Sequence, residues 1–154
     1  MISKQLVGYE VAEIKVRIAA SGEKMTKAET YEKAWRLGWK SGDFSLVDQI
    51  YHPDYRSFDY RTGIEANLED DKIITSTLLE SMIVGPIDVM YENEDFVCLE
   101  SFAKQRLNTT EFEYYANVTG IKYKDGKIIR QKTGSHTLDF DPSEHLDWNW
   151  EDYE

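Results

Sequence analysis

The 154-residue chain predicts an α+β domain: a curved mixed or antiparallel sheet wrapped around helices packed on its concave side. Three observations carry that expectation. Beyond the ambiguous residues 1–25, helical periodicity is confined to the stretch from Thr26 to Ser81. The second half alternates apolar and polar residues over long runs. Asn93-Glu94-Asp95 and Lys124-Asp125-Gly126 stand between those runs, where hairpins turn. Helices followed by a strand meander is the order of a sheet with its helices on one side.

Each element has its own signal. Residues 1–25 read as an extension: Ile14, Val16 and Ile18 alternate with charges as on a strand, while Val7, Val11, Ile14 and Ile18 also share a helical face. Thr26 followed by Glu29 is a capping box that opens the first helix. Tyr31, Ala34, Trp35, Gly38 and Trp39 give that helix an aromatic stripe, and Gly42 ends it. Asp43 is placed to cap a short helix carrying Phe44, Val47, Ile50 and Tyr51. Pro53 then turns the chain into a strand from Tyr55 to Tyr60. A third helix is expected over Leu68 to Ser81 with Ile73, Ile74, Thr77 and Leu78 inward, broken by Gly85-Pro86. Four strands follow, at Ile87–Asn93, Phe96–Leu107, Glu111–Lys124 and Lys127–Leu138, and Asp125-Gly126 is the strongest hairpin signal among them. The expected organisation is an extension at 1–25, one domain at 26–138 and an acidic aromatic tail at 139–154.

Composition narrows the partners. Hydrophobic residues make up 41% of the chain and aromatics 13%, enough for a packed core without staples. A formal charge of −11 repels phosphate backbones and anionic lipid, so neither nucleic acid nor membrane is expected as a partner. No run approaches the roughly 18 apolar residues of a membrane span, and no signal or transit peptide is evident, which makes a cytoplasmic location the expectation. The single cysteine, Cys98, excludes an internal disulfide and reads as a small buried hydrophobe. His136 and His145 flank Asp139 and Asp141 without zinc-type spacing, so no metal is expected. The last sixteen residues hold seven acids and no Lys or Arg, yet also Trp148 and Trp150. The tail reads either as folded over the domain, the pocket mouth or a partner subunit, burying its tryptophans, or as a disordered acidic tail.

Three pieces in this order and spacing resemble the nuclear transport factor 2-like superfamily, which includes ketosteroid isomerases and SnoaL-like polyketide cyclases. They are Trp35 through Asp43, Tyr51-His52-Pro53-Asp54 before a strand, and the Asp125-Gly126-Lys127-Ile128 hairpin; the likeness covers residues 27 to about 138. It implies a cone-shaped, cystatin-like sheet around a ligand-sized cavity, and a homodimer. It puts Asp59 where the isomerase general base sits, Trp35 at the place of the oxyanion tyrosine, and Thr119 near the protonated aspartic acid. Two of those three groups differ here, and Trp35 and Thr119 are weaker donors to a developing enolate. Where the cyclases carry an acidic or histidine residue after the hairpin, this chain has Arg130, Gln131 and Lys132.

Strand alternation counted from Gly126 turns Tyr115, Asn117, Thr119 and Ile121 inward, with Ile129, Gln131, Thr133 and Ser135 opposite them. Asp59 is the expected general base, since a carboxylate against Trp35, Tyr55 or Phe58 is desolvated. The alternative is that Asp59 ends its strand and binds backbone amides of the Arg61-Thr62-Gly63 turn. Tyr31, Trp35, Tyr55, Tyr115, Asn117, Thr119, Gln131 and Thr133 are expected to meet a small apolar or aromatic substrate. Glu100 becomes a second acid only if it faces inward. The expectation is thus a pocket protein, with cofactor-independent acid–base chemistry (isomerase, cyclase, dehydratase or hydrolase) as one reading. A non-catalytic ligand-binding or protein-interaction module is the other.

Overall fold

Residues 25–154 are described by the computed structural model, so the expectation for the N-terminal extension lies almost wholly outside them. The order is α1 (Lys27–Ser41), α2 (Ser45–Ile50), β1 (Tyr51–Asp59), β2 (Ile64–Ala66), α3 (Leu68–Leu78), β3 (Met82–Glu92), β4 (Phe96–Arg106), β5 (Phe112–Lys124) and β6 (Lys127–Leu138). Two 3-10 turns, Pro142–Glu144 and Trp150–Tyr153, close the chain. The six strands form one open mixed sheet in the order β2-β1-β6-β5-β4-β3. Among the described residues only β1 and β6 run parallel. The result is an α+β fold with a curved sheet, as the sequence predicts.

Local chemistry explains the first helices. The Thr26 side chain accepts from the Glu29 amide at 3.1 Å and the Glu29 carboxylate accepts from the Thr26 amide at 2.8 Å, which completes the capping box. Gly42 ends α1 at φ 70°, a left-handed conformation that favours glycine. A Cβ on Gly38 would stand 2.6 Å from the Phe44 ring, so the missing side chain lets α2 close against α1. The N-cap of α2 is Phe44 rather than the expected Asp43, which lies one residue earlier and accepts the Ser45 amide at 2.9 Å in an Asx turn leading into the helix.

Three strand boundaries differ from expectation. β1 begins at Tyr51, and its pairing with β6 skips from Tyr51–Ile128 to Arg56–Arg130, so Pro53 falls in a stretch outside the ladder. β3 begins at Met82 and runs through Gly85-Pro86 rather than breaking there. It is an edge strand with an irregularity between Val84 and Ile87, where a proline costs no ladder bond. The short β2, unforeseen, pairs with the end of β1 at Ser57–Ala66.

The core gathers Tyr31, Ala34 and Trp35 of α1, Val47 of α2, Tyr51 and Tyr55 of β1, and Val97, Leu99, Ile121 and Ile128 of the sheet. The third helix is rotated from its expected face. Ile73 and Ile74 are 62% and 48% exposed, while Leu68, Asp71, Lys72, Thr75 and Leu78 turn toward the domain. The acidic tail is not left to solvent. Trp150 is 5% exposed, its indole donates to Asp141 at 2.9 Å, and Trp148 stacks on Phe102 with ring centroids 5.9 Å apart. Cys98 is half-buried on the outer face of the sheet, not in the core.

Candidate functional site

Strand register assembles the site. Pairing across β4, β5, β6 and β1 puts Leu99, Thr119, Thr133 and Asp59 in one cross-sheet row on the concave face. The neighbouring row toward the open end is Ser101, Asn117 and Ser135. The parallel β1–β6 pairing is what brings Asp59 beside Thr133. A cavity of about 490 Å³ opens between these rows and the helices. Its size is that of a small-molecule site.

The walls differ in chemistry. Leu78, Leu79, Met82, Val84, Ile87 and Trp39 make an apolar side. The opposite side carries Asn117, Thr119, Gln131, Thr133 and Ser135, neutral amides and hydroxyls. Ser135 donates to the Asn117 carbonyl oxygen at 2.7 Å, which leaves the Asn117 amide nitrogen free to donate. Thr119, itself 8% exposed, bonds Thr133 at 3.2 Å.

A directional chain of hydrogen bonds ends at the cavity. The Trp35 indole donates to the Tyr51 hydroxyl at 2.7 Å, Tyr51 donates to Gln131 at 3.0 Å, and the Gln131 amide donates to the Tyr31 hydroxyl at 3.4 Å. Each link fixes the sense of the next, so the Tyr31 proton is the one left over. Burial pushes the Tyr31 phenol far above its ordinary range, with the nearby Asp71 carboxylate adding to the shift. It stays protonated and acts as a donor.

Of the residues expected to meet a ligand, Tyr31, Asp59, Tyr115, Asn117, Thr119, Gln131 and Thr133 line this cavity. Trp35 and Tyr55 do not, which corrects the expectation for both. Trp35 is 4% exposed behind Tyr31, and Tyr55 is 1% exposed with its hydroxyl donated to Asp71 at 2.9 Å. Asp59 makes the turn contact of its second reading, one carboxylate oxygen accepting the Arg61 amide at 2.8 Å, and its side chain borders the cavity. Glu100 faces outward opposite Asp88 and forms no pair with Asp59.

Two residues went unforeseen. Arg61 reaches the cavity from the turn after β1, with its guanidinium 5.0 Å from the Tyr115 ring centroid. Asp71 lies behind the wall, accepting from Tyr55 and, at 3.0 Å, from Ser57. Burial raises the Asp71 pKa, although the two hydroxyl bonds pull it back. The capping pair Asn67 and Asp70 fixes the start of α3 at Leu68, as expected, but does not decide which face turns inward. Among the described residues no cluster of three metal-ligating side chains forms, and no helix is long and apolar enough to cross a membrane.

No protein-family model matches the chain, and no curated protein matches it in sequence. Solved structures do match its fold. A candidate SnoaL-like polyketide cyclase from Jannaschia is 17% identical, with 74% of this chain and 91% of that one covered at a TM-score of 0.55. A protein with a ketosteroid isomerase-like fold from Catenulispora acidiphila, solved with trimethylamine, is 14% identical over 70% and 85% of the two chains, at 0.54. An NTF2-like protein of unknown function from Cytophaga hutchinsonii is 11% identical and covered in full over 72% of this chain, at 0.56. This chain has the nuclear transport factor 2-like fold, shared with proteins of the SnoaL-like and ketosteroid isomerase-like kinds.

Proposed function

We propose that the protein binds a small apolar or aromatic carbonyl compound and catalyses a cofactor-independent proton transfer on it. The observation that carries this reading is one cavity lined by both the Asp59 carboxylate and Tyr31, whose hydroxyl is free to donate. In this reading Asp59 takes a proton from the carbon next to the carbonyl. The C–H electron pair moves into an enolate whose oxygen accepts a hydrogen bond from Tyr31. Returning the proton to another carbon gives an isomerase; attack of the enolate on a second carbonyl gives a cyclase. Tyr31 lies one helical turn before Trp35, so it supplies the phenol that the Trp35 position lacks. Asn117, Thr119, Gln131 and Thr133 orient the substrate, and Tyr115 packs against it.

Deuterium wash-in at the acidic carbon of 2-tetralone, followed by proton NMR in D2O, tests the reading. The protein is expected to accelerate exchange, Asp59→Asn to cost about 10²- to 10⁴-fold, and Tyr31→Phe roughly tenfold or more. No acceleration over buffer, together with saturable binding of the ketone, selects the non-catalytic ligand-binding module instead.

The same proposal includes a homodimer through the outer sheet face. Tyr60, Phe96 and Val118 are exposed there at 63%, 37% and 47%. Lys122, Arg130 and Lys132 occupy the β5–β6 side of that face and Asp88 and Glu100 the β3–β4 side, so a two-fold axis sets opposite charges against each other. Sedimentation equilibrium is expected to give twice the chain mass, shifting toward the monomer in Val118→Glu.

A further inference from the structure

The cavity carries a charge that proton transfer from a neutral ketone does not use. Arg61 is the one basic side chain among the described residues of the wall. It stands at the mouth: Arg61 and Thr62 are the exposed members of the lining, and both belong to the turn between β1 and β2. That turn is built. Gly63 adopts φ 69° and donates its amide to the Asp59 carbonyl at 2.8 Å, and the Arg61 amide donates to the Asp59 carboxylate. The Arg61 side chain is thereby aimed at Tyr115, a ring 3% exposed whose hydroxyl is donated to Glu113. Acids outnumber bases 29 to 18 in this chain, yet Arg61 enters no ion pair among the described residues. The Tyr115 contact, through both ring and hydroxyl, engages one side of the guanidinium and leaves its remaining N–H donors for a ligand.

We propose that the natural ligand is a carboxylic acid with an apolar body, and that Arg61 binds its carboxylate at the mouth while the body fills the cavity. The inference rests on the cavity being the ligand site and names the class of molecule that enters it. A planar guanidinium fork matches a carboxylate in two parallel hydrogen bonds, which neither an amide nor an ester reproduces. Thr62 lies beside Arg61 as a further hydroxyl donor. The apolar wall of Leu78, Met82, Val84, Ile87 and Leu99 lies away from the turn and suits a fused or extended hydrocarbon skeleton. The competing choice is an ammonium compound facing Asp59. One Asp59 oxygen is already committed to the turn, and Arg61 two residues on repels a cation, so the charge balance favours the acid.

Calorimetric titration with 2-naphthoate, 2-naphthamide and 2-naphthylmethylammonium tests the proposal. The carboxylate is expected to bind about tenfold or more tightly than the amide at low ionic strength, with the difference shrinking as salt is added. Arg61→Gln is expected to bring naphthoate down to the level of the amide while the amide still binds, which shows that the cavity is intact. Arg61→Lys retains part of the preference. Equal binding of the three probes, tighter binding of the ammonium, or a carboxylate preference that survives Arg61→Gln overturns the proposal while the cavity reading stands. Binding of none of them to the unaltered protein overturns both.

Discussion

The two longer helices cover the same concave face by opposite means. α1 presents Ala28, Tyr31, Ala34, Trp35 and Gly38, all buried, and Trp35 alone meets Trp39, Phe44 and Tyr51 at ring-centroid distances of 6.0–6.4 Å. α3 has no fully buried residue. It is tied down by polar bonds: Asp71 to the hydroxyls of Tyr55 and Ser57, and Lys72 to Asp48 and, at 2.8 Å, to Glu69. Apolar burial is non-directional and grows with area, whereas a net intramolecular hydrogen bond contributes only about 1 kcal/mol. α1 therefore belongs to the scaffold that carries Tyr31. α3 is a wall of the cavity held with less apolar burial, and it brings Thr75 and Leu78 to the ligand side.

The largest expected effect separates the two helices directly. Trp35→Ala removes a buried indole and its bond to Tyr51, and is expected to cost about 3–5 kcal/mol of unfolding free energy. Ile73→Ala, also a large-to-small change but at 62% exposure, is expected to stay within about 0.5 kcal/mol. Urea denaturation of both variants measures the contrast. Equal losses would erase the distinction between scaffold and wall.

The same contrast explains what the sequence revealed and what it withheld. α1 announces itself through Thr26, Glu29, an aromatic stripe and Gly42, because each feature acts within one or two turns. The inward set on β5 and β6 was plain from Tyr115 to Ile121 and from Gln131 to Ser135, since the hairpin at Asp125 and Gly126, with φ of 53° and 74°, joins the strands and alternation orders them. A register shift between Lys122 and Tyr123 interrupts that alternation near the turn and puts Ile128 in the core. α3 misled because periodicity weighs hydrophobicity, and Ile73 and Ile74 outweighed a carboxylate and an amine that face inward only because Tyr55, Ser57 and Asp48 await them. Those partners lie 14 to 24 residues away along the chain. Trp35 and Tyr55 failed as ligand residues for a related reason. Large aromatics with a polar tip serve a core as readily as a pocket, and only the bonds to Tyr51 and Asp71 decide between them. Arg61 went unnoticed because a single arginine in a turn looks like solvated surface until the tertiary fold puts Tyr115 beneath it.

Asp71 offers the finest test of how α3 is held. Burial raises its folded pKa above the roughly 3.9 of an unfolded aspartate, even with Tyr55 and Ser57 donating to it and with Asp70 nearby adding to the rise. Below the unfolded value both states hold the proton and the shift has no effect on stability. Between the unfolded and folded pKa the unfolded chain gives up its proton first, so this group makes stability fall as pH increases through that window. Above the folded value the penalty is complete and constant. Asn at this position keeps an acceptor for Tyr55, while Ser57 is free to accept the new amide and still donate to the Ala66 carbonyl, 3.4 Å from its hydroxyl. Asp71→Asn is therefore expected to match or exceed the unaltered protein in stability at neutral pH, and to lose that advantage as pH drops toward 4. Carboxylates that do not interact with Asp71 cancel in the difference between the two proteins' urea midpoints across a pH series, which therefore reports Asp71 together with its coupling to Asp70. A difference that does not change with pH would mean the carboxylate is solvated, and that α3 is held by Lys72 and its partners rather than by Asp71.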